Sequence, residues 1–181
     1  MKPRSYTSEG IVLARRNWGE ADRILVIYSK NQGRISLIAK GVRRPKSRKR
    51  GHIEVFNRVA FQGAIGRGID IMTEAEVIND FKEIRKNLKK VSLAYYFCEV
   101  IGKITHDGEP NIEVYNLLVE NLGNLKTAKR LKILRLGFIL KLLTLFGFWP
   151  KGEPLSDPDR QLEEVIERQL SSVRVGKMML E

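Results

Sequence analysis

Between Gly10 and Ile78 the apolar positions alternate with polar ones or gather in short unbroken runs, and no window sustains a helical period. The pattern predicts strands over residues 10–15, 23–29, 34–40, 53–62 and 68–78. Residues 23–29 (Arg-Ile-Leu-Val-Ile-Tyr-Ser) form a nearly continuous apolar, β-branched run, as expected of a strand covered on both faces. Turn residues separate the strands: Asn17-Trp18-Gly19-Glu20 after the first and Asn31-Gln32-Gly33 after the second. Gly63, Gly66 and Gly68 lie between the last two. Their spacing does not fit a dinucleotide fingerprint and no helix signal follows, so they read as a hairpin turn.

From Asn79 the period becomes helical. Asn79 or Asp80 is placed to cap a short helix carrying Phe81, Ile84 and Leu88. Helices are then predicted over residues 92–105, 111–122 and 127–146, the first of them apolar on most sides and therefore central. Residues 106–110 (His-Asp-Gly-Glu-Pro) are a loop. Gly147 and Pro150 stop the longest helix. Asp157-Pro158 reads as N-cap and first residue of a helix running to Leu170, with a last short helix from Ser171 or Ser172 to Leu180.

Five short strands with the longest break between the third and fourth match the element order of an OB-fold barrel, although a small open sheet or an SH3-like barrel fits the same alternation. The expected class is α+β: an OB-fold domain at residues 1–80 and an all-helical domain at residues 81–181.

Charge sharpens this picture. The net charge is +12, and residues 1–52 hold 14 Lys or Arg against only Glu9, Glu20 and Asp22, whereas the remaining 19 cations face 18 acids. Within the basic third, Lys40, Arg43, Arg44, Lys46, Arg48, Lys49 and Arg50 fall in eleven residues without an acid. Such a segment belongs on a surface, where solvent or a polyanion relieves its self-repulsion. It occupies the break between strands three and four. Pro45 stiffens it and Gly41 lets it turn.

Other chemistry is sparse. The one cysteine, Cys98, lies in an apolar run and reads as a buried thiol. His106 beside Asp107 has no further histidine near it to make a metal or hydrolase site. A nuclease would need clustered carboxylates or histidines; Glu20 and Asp22 read instead as arginine partners or turn caps, so no enzyme activity and no cofactor are expected. Residues 131–149 are apolar but carry Lys132, Arg135 and Lys141, each costing about 2.5–3.5 kcal/mol at the centre of a membrane helix, so a buried helix is expected. With no secretory signal pattern at the start, a cytoplasmic location is expected.

Particular runs resemble one family. Glu9-Gly10-Ile11-Val12-Leu13, Gly19-Glu20-Ala21-Asp22-Arg23-Ile24 and the run from Gly33-Arg34-Ile35-Ser36 through Lys40-Gly41-Val42-Arg43-Arg44-Pro45 to Arg48 are similar to the N-terminal domain of the RecO family of DNA repair and recombination mediators. Gly66-Arg67-Gly68, Ala75-Glu76-Val77-Ile78, Ala94-Tyr95-Tyr96 with Glu99, and residues 142–150 follow in that family's order. The resemblance implies an OB-fold followed by helices, binding of single- and double-stranded DNA, annealing of complementary strands, and work beside RecR, single-strand-binding protein and RecA at the nucleoid. Many members carry a cysteine cluster that forms a zinc module after the position of Pro150; residues 151–159 have no cysteine. A shortened but complete, zinc-less member is the expectation, with residues 165–181 similar to the closing helix.

Candidate DNA contacts are Arg43, Arg44, Lys46, Arg48, Lys49 and Arg50, joined by Lys40, Arg34, Arg15 and Arg16. Trp18 is the first candidate for base stacking; Tyr28, Phe56 and Phe61 could also stack but suit a barrel core. An RNA- or ribosome-binding OB-fold protein is the alternative that the same basic face would serve.

Overall fold

A computed structural model describes residues 4–166. The described residues divide into two compact units: 4–80 with Thr105–Ile112, and Phe81–Ile104 with 113–166.

In the first unit β1 (Ser5–Trp18), β2 (Asp22–Ser29), β3 (Gly33–Ala39), β4 (Arg58–Ala64) and β5 (Asp70–Asn79) close a barrel in the order β1-β2-β3-β5-β4. All neighbours are antiparallel except β3 and β5, which run parallel. This is the OB-fold. β1 is longer than its alternation suggests because it serves two partners: Ser5 to Ile11 pair with β4 and Gly10 to Trp18 with β2, with a bulge between Val12 and Ala14. The alternation is read over only the central part, where both faces are covered. At the switch between partners a Cβ on Gly10 would run into Ile27.

The fourth strand begins at Arg58, not Ile53. Ile53, Val55 and Phe56 are buried, yet Phe56 takes a left-handed conformation (φ 59°), and its N–H bonds to the Val12 carbonyl at 2.8 Å. Burial without a ladder produced the strand-like run. The expected glycine hairpin is present: Gly66 N–H donates to Asp70 Oδ1 at 3.1 Å between the antiparallel β4 and β5. Val12, Leu25, Ile27, Leu37, Ala39, Val59, Phe61 and Met72 fill the barrel together with Val42 and Ile53.

Glu9, on β1, lies between Lys30 Nζ (3.2 Å) and Arg58 Nη2 (3.1 Å). Partial burial alone would raise its pKa, but the two cations outweigh it and hold the carboxyl below its ordinary value. A depressed folded-state pKa adds stability that is complete above the unfolded-state value of about 4.3 and is lost as pH falls through the folded value. Thermal melts of wild type and Glu9→Gln are therefore expected to differ at neutral pH, by less than about 1 kcal/mol for so accessible a group, and to converge in acid. A difference unchanged down to strongly acidic pH would refute this.

The second unit contains α1 (Lys82–Arg85), α2 (Leu88–Ile104), α3 (Ile112–Leu125), α4 (Leu131–Leu145) and α5 (Pro158–Ile166). Phe81, in a left-handed conformation, is the N-cap of α1 in place of Asn79 or Asp80. Leu88 opens α2, four residues before Ser92, because Asn87 Oδ1 accepts the Lys90 N–H at 3.3 Å and caps the helix there. α4 starts at Leu131, after the connection that the periodicity had drawn into it from residue 127. It ends in a Schellman motif: Gly147 (φ 74°) donates to the Thr144 carbonyl and Phe148 to that of Leu143. Asp157 caps α5 as expected, accepting the Arg160 N–H at 3.1 Å. The continuation to Leu170 and the last short helix lie outside the described residues. Phe97 of α2 meets Phe138 of α4 with ring centroids 4.3 Å apart, and Cys98, next to Phe97 in sequence, is buried. Among the described residues no helix is long and apolar enough to cross a membrane.

Candidate nucleic-acid interface

The register of three strands sets the position of the cationic segment. Asn17 of β1 pairs with Arg23 of β2, and Arg23 with Ala39 of β3, so these three residues stand side by side at one end of the sheet. The chain leaves β3 there and enters the basic segment, which contains turns but no helix or strand up to Arg58.

The segment is held at both ends. Val42 and Ile53 are fully buried in the barrel core. Gly41, at φ 64°, donates its N–H to Asp22 Oδ1 at 2.7 Å, and the Arg43 N–H reaches the Ala21 carbonyl at 2.9 Å. Asp22 thus caps the turn that starts the segment. Successive turns follow, with Arg44 N–H to the Gly41 carbonyl and Ser47 N–H to that of Arg44. Lys49 Nζ crosses to the Met72 carbonyl of β5 at 3.1 Å, and Asn57 Nδ2 ties down the His52 carbonyl at 3.0 Å. The cations are therefore carried on an ordered loop, and Lys40, Arg43, Arg44, Lys46, Arg48 and Arg50 are exposed while Lys49 is half-buried.

The β1–β2 turn adds to this face. Arg43 Nη1 donates to the Gly19 carbonyl at 3.2 Å, which joins the loop to the turn. Trp18 is the last residue of β1, not part of the turn; it is 49% exposed, with the Arg16 guanidinium 5.5 Å from its ring centre. Tyr28, Phe56 and Phe61 are buried in the barrel unit, leaving Trp18 as the accessible aromatic among the four candidates. Arg15 is spoken for in part, since its Nη1 lies 2.5 Å from Glu54 Oε1. Arg34 is not brought to this face. It lies at the other end of β3, roughly 20 Å along the strand from Lys40, with its Nε 2.6 Å from Asp107 Oδ1.

Arg23 belongs to the face although the sequence, which places it in one of the family-like runs, does not mark it as a contact. Its Nε donates to Asn17 Oδ1 at 3.3 Å, and with Asn17, Arg43 and Arg50 it lines a cleft of about 300 Å³. The register, which places Asn17 opposite Arg23, and the path of the loop, which brings Arg43 and Arg50 to it, reveal its place.

Barrel order and cationic loop together define an OB-fold protein whose basic charge is gathered on the β1–β2 end and the β3–β4 connection, followed by a helical unit. Residues 1–81 match the family model described as "Recombination protein O N terminal", and residues 85–153 the one described as "Recombination protein O C terminal". The chain belongs to the RecO family. It is 37% identical over 151 residues to the DNA repair protein RecO of Pelotomaculum thermopropionicum, covering 83% of this chain and 59% of that protein. With the DNA repair protein RecO of Desulforamulus reducens it shares 37% identity over 145 residues, 80% of this chain and 56% of that protein. The same protein of Rubrobacter xylanophilus is 37% identical over 147 residues, 81% and 59%. The matched region thus spans somewhat under three-fifths of these relatives' length.

Proposed function

We propose that this chain acts in recombinational DNA repair by binding single- and double-stranded DNA without sequence specificity and promoting the annealing of complementary strands. The observation that carries the reading is the ordered loop from Lys40 to Arg50, which holds all of its cations but Lys49 exposed on an OB barrel. A phosphate backbone releases condensed counterions when Lys or Arg neutralise it, which gives affinity that depends on salt and not on sequence. Annealing involves no bond-making step in the protein. It needs two repelling strands held close with their bases free, and a dense cationic surface does this by screening. Membership of the RecO family supports the same reading and adds RecR, single-strand-binding protein and RecA as partners at the nucleoid.

Binding of labelled single-stranded oligonucleotides, followed by anisotropy across a salt series, tests this. Scrambled sequences are expected to bind alike, with log affinity falling linearly against log salt by about 0.7 per phosphate contacted. Trp18→Ala is expected to weaken single-strand binding by about 1–3 kcal/mol through lost stacking and to leave duplex binding nearly unchanged. Absence of binding at low salt, or strong preference for structured RNA in competition, would overturn the proposal, the latter in favour of an RNA-binding OB-fold protein.

A further inference from the structure

The cleft at the end of β1 and β2 has a specific electrostatic deficit. Arg23 Nη1 is shut off from solvent and has no hydrogen-bond partner, a costly state for a cationic donor. The guanidinium groups of Arg15, Arg43 and Arg50 act on it electrostatically, and Glu54 is the acid that does so among the described residues. Glu54 is already engaged by Arg15 at 2.5 Å. That leaves Arg23, Arg43 and Arg50 lining one space with no acid among the described residues that line it. Desolvation, then the neighbouring Arg15, pushes the Arg23 pKa down from its ordinary value.

Like charges gathered at a half-enclosed cleft are held there by the fold. Asn17, opposite Arg23 in register, fixes the guanidinium through Nε and keeps its own amide N–H groups as neutral donors. Arg43 is pinned by the Ala21 and Gly19 carbonyls. Arg50 follows Lys49, which is tied to β5. Forked planar donors set around one cavity match the several acceptor oxygens of a phosphate. A small settling of the Arg23 side chain toward such an anion would also give Nη1 the partner it lacks.

We propose that this cleft, lined by Asn17, Arg23, Arg43 and Arg50, seats one phosphate group of a bound nucleic-acid strand and so fixes where the strand enters the otherwise diffuse cationic face. The proposal rests on the DNA-binding reading for the source of the phosphate, not for the existence of the site.

The test uses the full chain and begins with inorganic phosphate alone. At matched ionic strength, phosphate is expected to raise the melting temperature of wild type above its value in chloride, saturably, and Arg23→Gln is expected to abolish the rise. Arg50→Gln, at an exposed position, is expected to reduce the same response and decides the matter if Arg23→Gln does not fold. No phosphate response in wild type, or an undiminished response in both variants, would overturn the site. Single-stranded oligonucleotides with and without a 5′-phosphate then identify the source. A roughly tenfold weakening by Arg23→Gln for both indicates an internal phosphodiester, and weakening confined to the phosphorylated strand a terminal phosphate. Wild-type affinity of the variant for both would overturn the assignment to a strand. A phosphate response in a protein that binds no oligonucleotide would instead sink the DNA reading and leave the cleft standing, so the two failures are distinct.

Discussion

Replacing Arg43, Arg44, Lys46 and Arg48 together with alanine is expected to remove most annealing of complementary oligonucleotides at moderate salt while the protein stays folded. All four side chains are exposed, and the loop is anchored by groups the variant keeps: Val42 and Ile53 in the core, Gly41 on Asp22, and the backbone N–H of residue 43 on Ala21. Loss of up to four phosphate contacts would lower the single-strand salt slope by about 2.8 at most, at about 0.7 for each, which corresponds to orders of magnitude in affinity. The measurement is the initial rate of duplex formation from two labelled strands, alongside circular dichroism. An unfolded spectrum would mean that the loop is structural; wild-type rates from a folded variant would remove the loop from the annealing surface.

Breaking the ion pair inside the helical unit is expected to cost more stability than any other single change discussed. Arg135 of α4 is 5% exposed and Asp159 of α5 is 8% exposed, and they meet through two parallel bonds of 2.5 and 2.9 Å. The guanidinium also lies 5.4 Å from the ring centre of Tyr96 on α2. Asp159→Ala leaves an uncompensated cation in an apolar setting, at a cost of about 3–5 kcal/mol. Replacing both residues, as Arg135→Met with Asp159→Leu, is expected to recover most of that loss, because well-packed apolar side chains can stand in for a buried pair. Denaturant titration of the wild type, single and double variants checks both statements; a single variant as stable as wild type would show that the pair contributes nothing.

The same arginine shows what could and could not be seen beforehand. Its charge argued against a membrane helix at residues 131–149, but only the fold shows that the charge is buried and that its partner comes from the first turn of α5. The strands of the barrel and the break that carries the cations were legible because alternation and charge are local. The start of β4 was not, since Ile53, Val55 and Phe56 have the composition of a strand but satisfy their burial in a turn. Arg34 and Lys40 look equivalent in sequence as cations at the two ends of one strand. A strand's length separates them in space, and Asp107 engages the first. Arg23 was hidden for the complementary reason: its significance comes from residues 17, 43 and 50, which only the barrel register and the loop path bring to it.

The short segment Thr105–Ile112 completes the barrel unit from a point well beyond β5. Asp107 receives Arg34, the Gly108 N–H bonds to the Arg34 carbonyl at 2.9 Å, the Asn111 carbonyl accepts the Tyr28 hydroxyl at 3.4 Å, and a Cβ on Gly33 would run into the Glu109 carbonyl. On the ribosome, then, all five strands are made before the piece that closes over the β2–β3 turn. The barrel has to wait, with that turn uncovered, until the whole of α2 has been synthesised. A ribosome-bound chain that has emerged from the exit tunnel only as far as the end of β5 should accordingly be more open to protease at this turn than one that has emerged beyond Ile112.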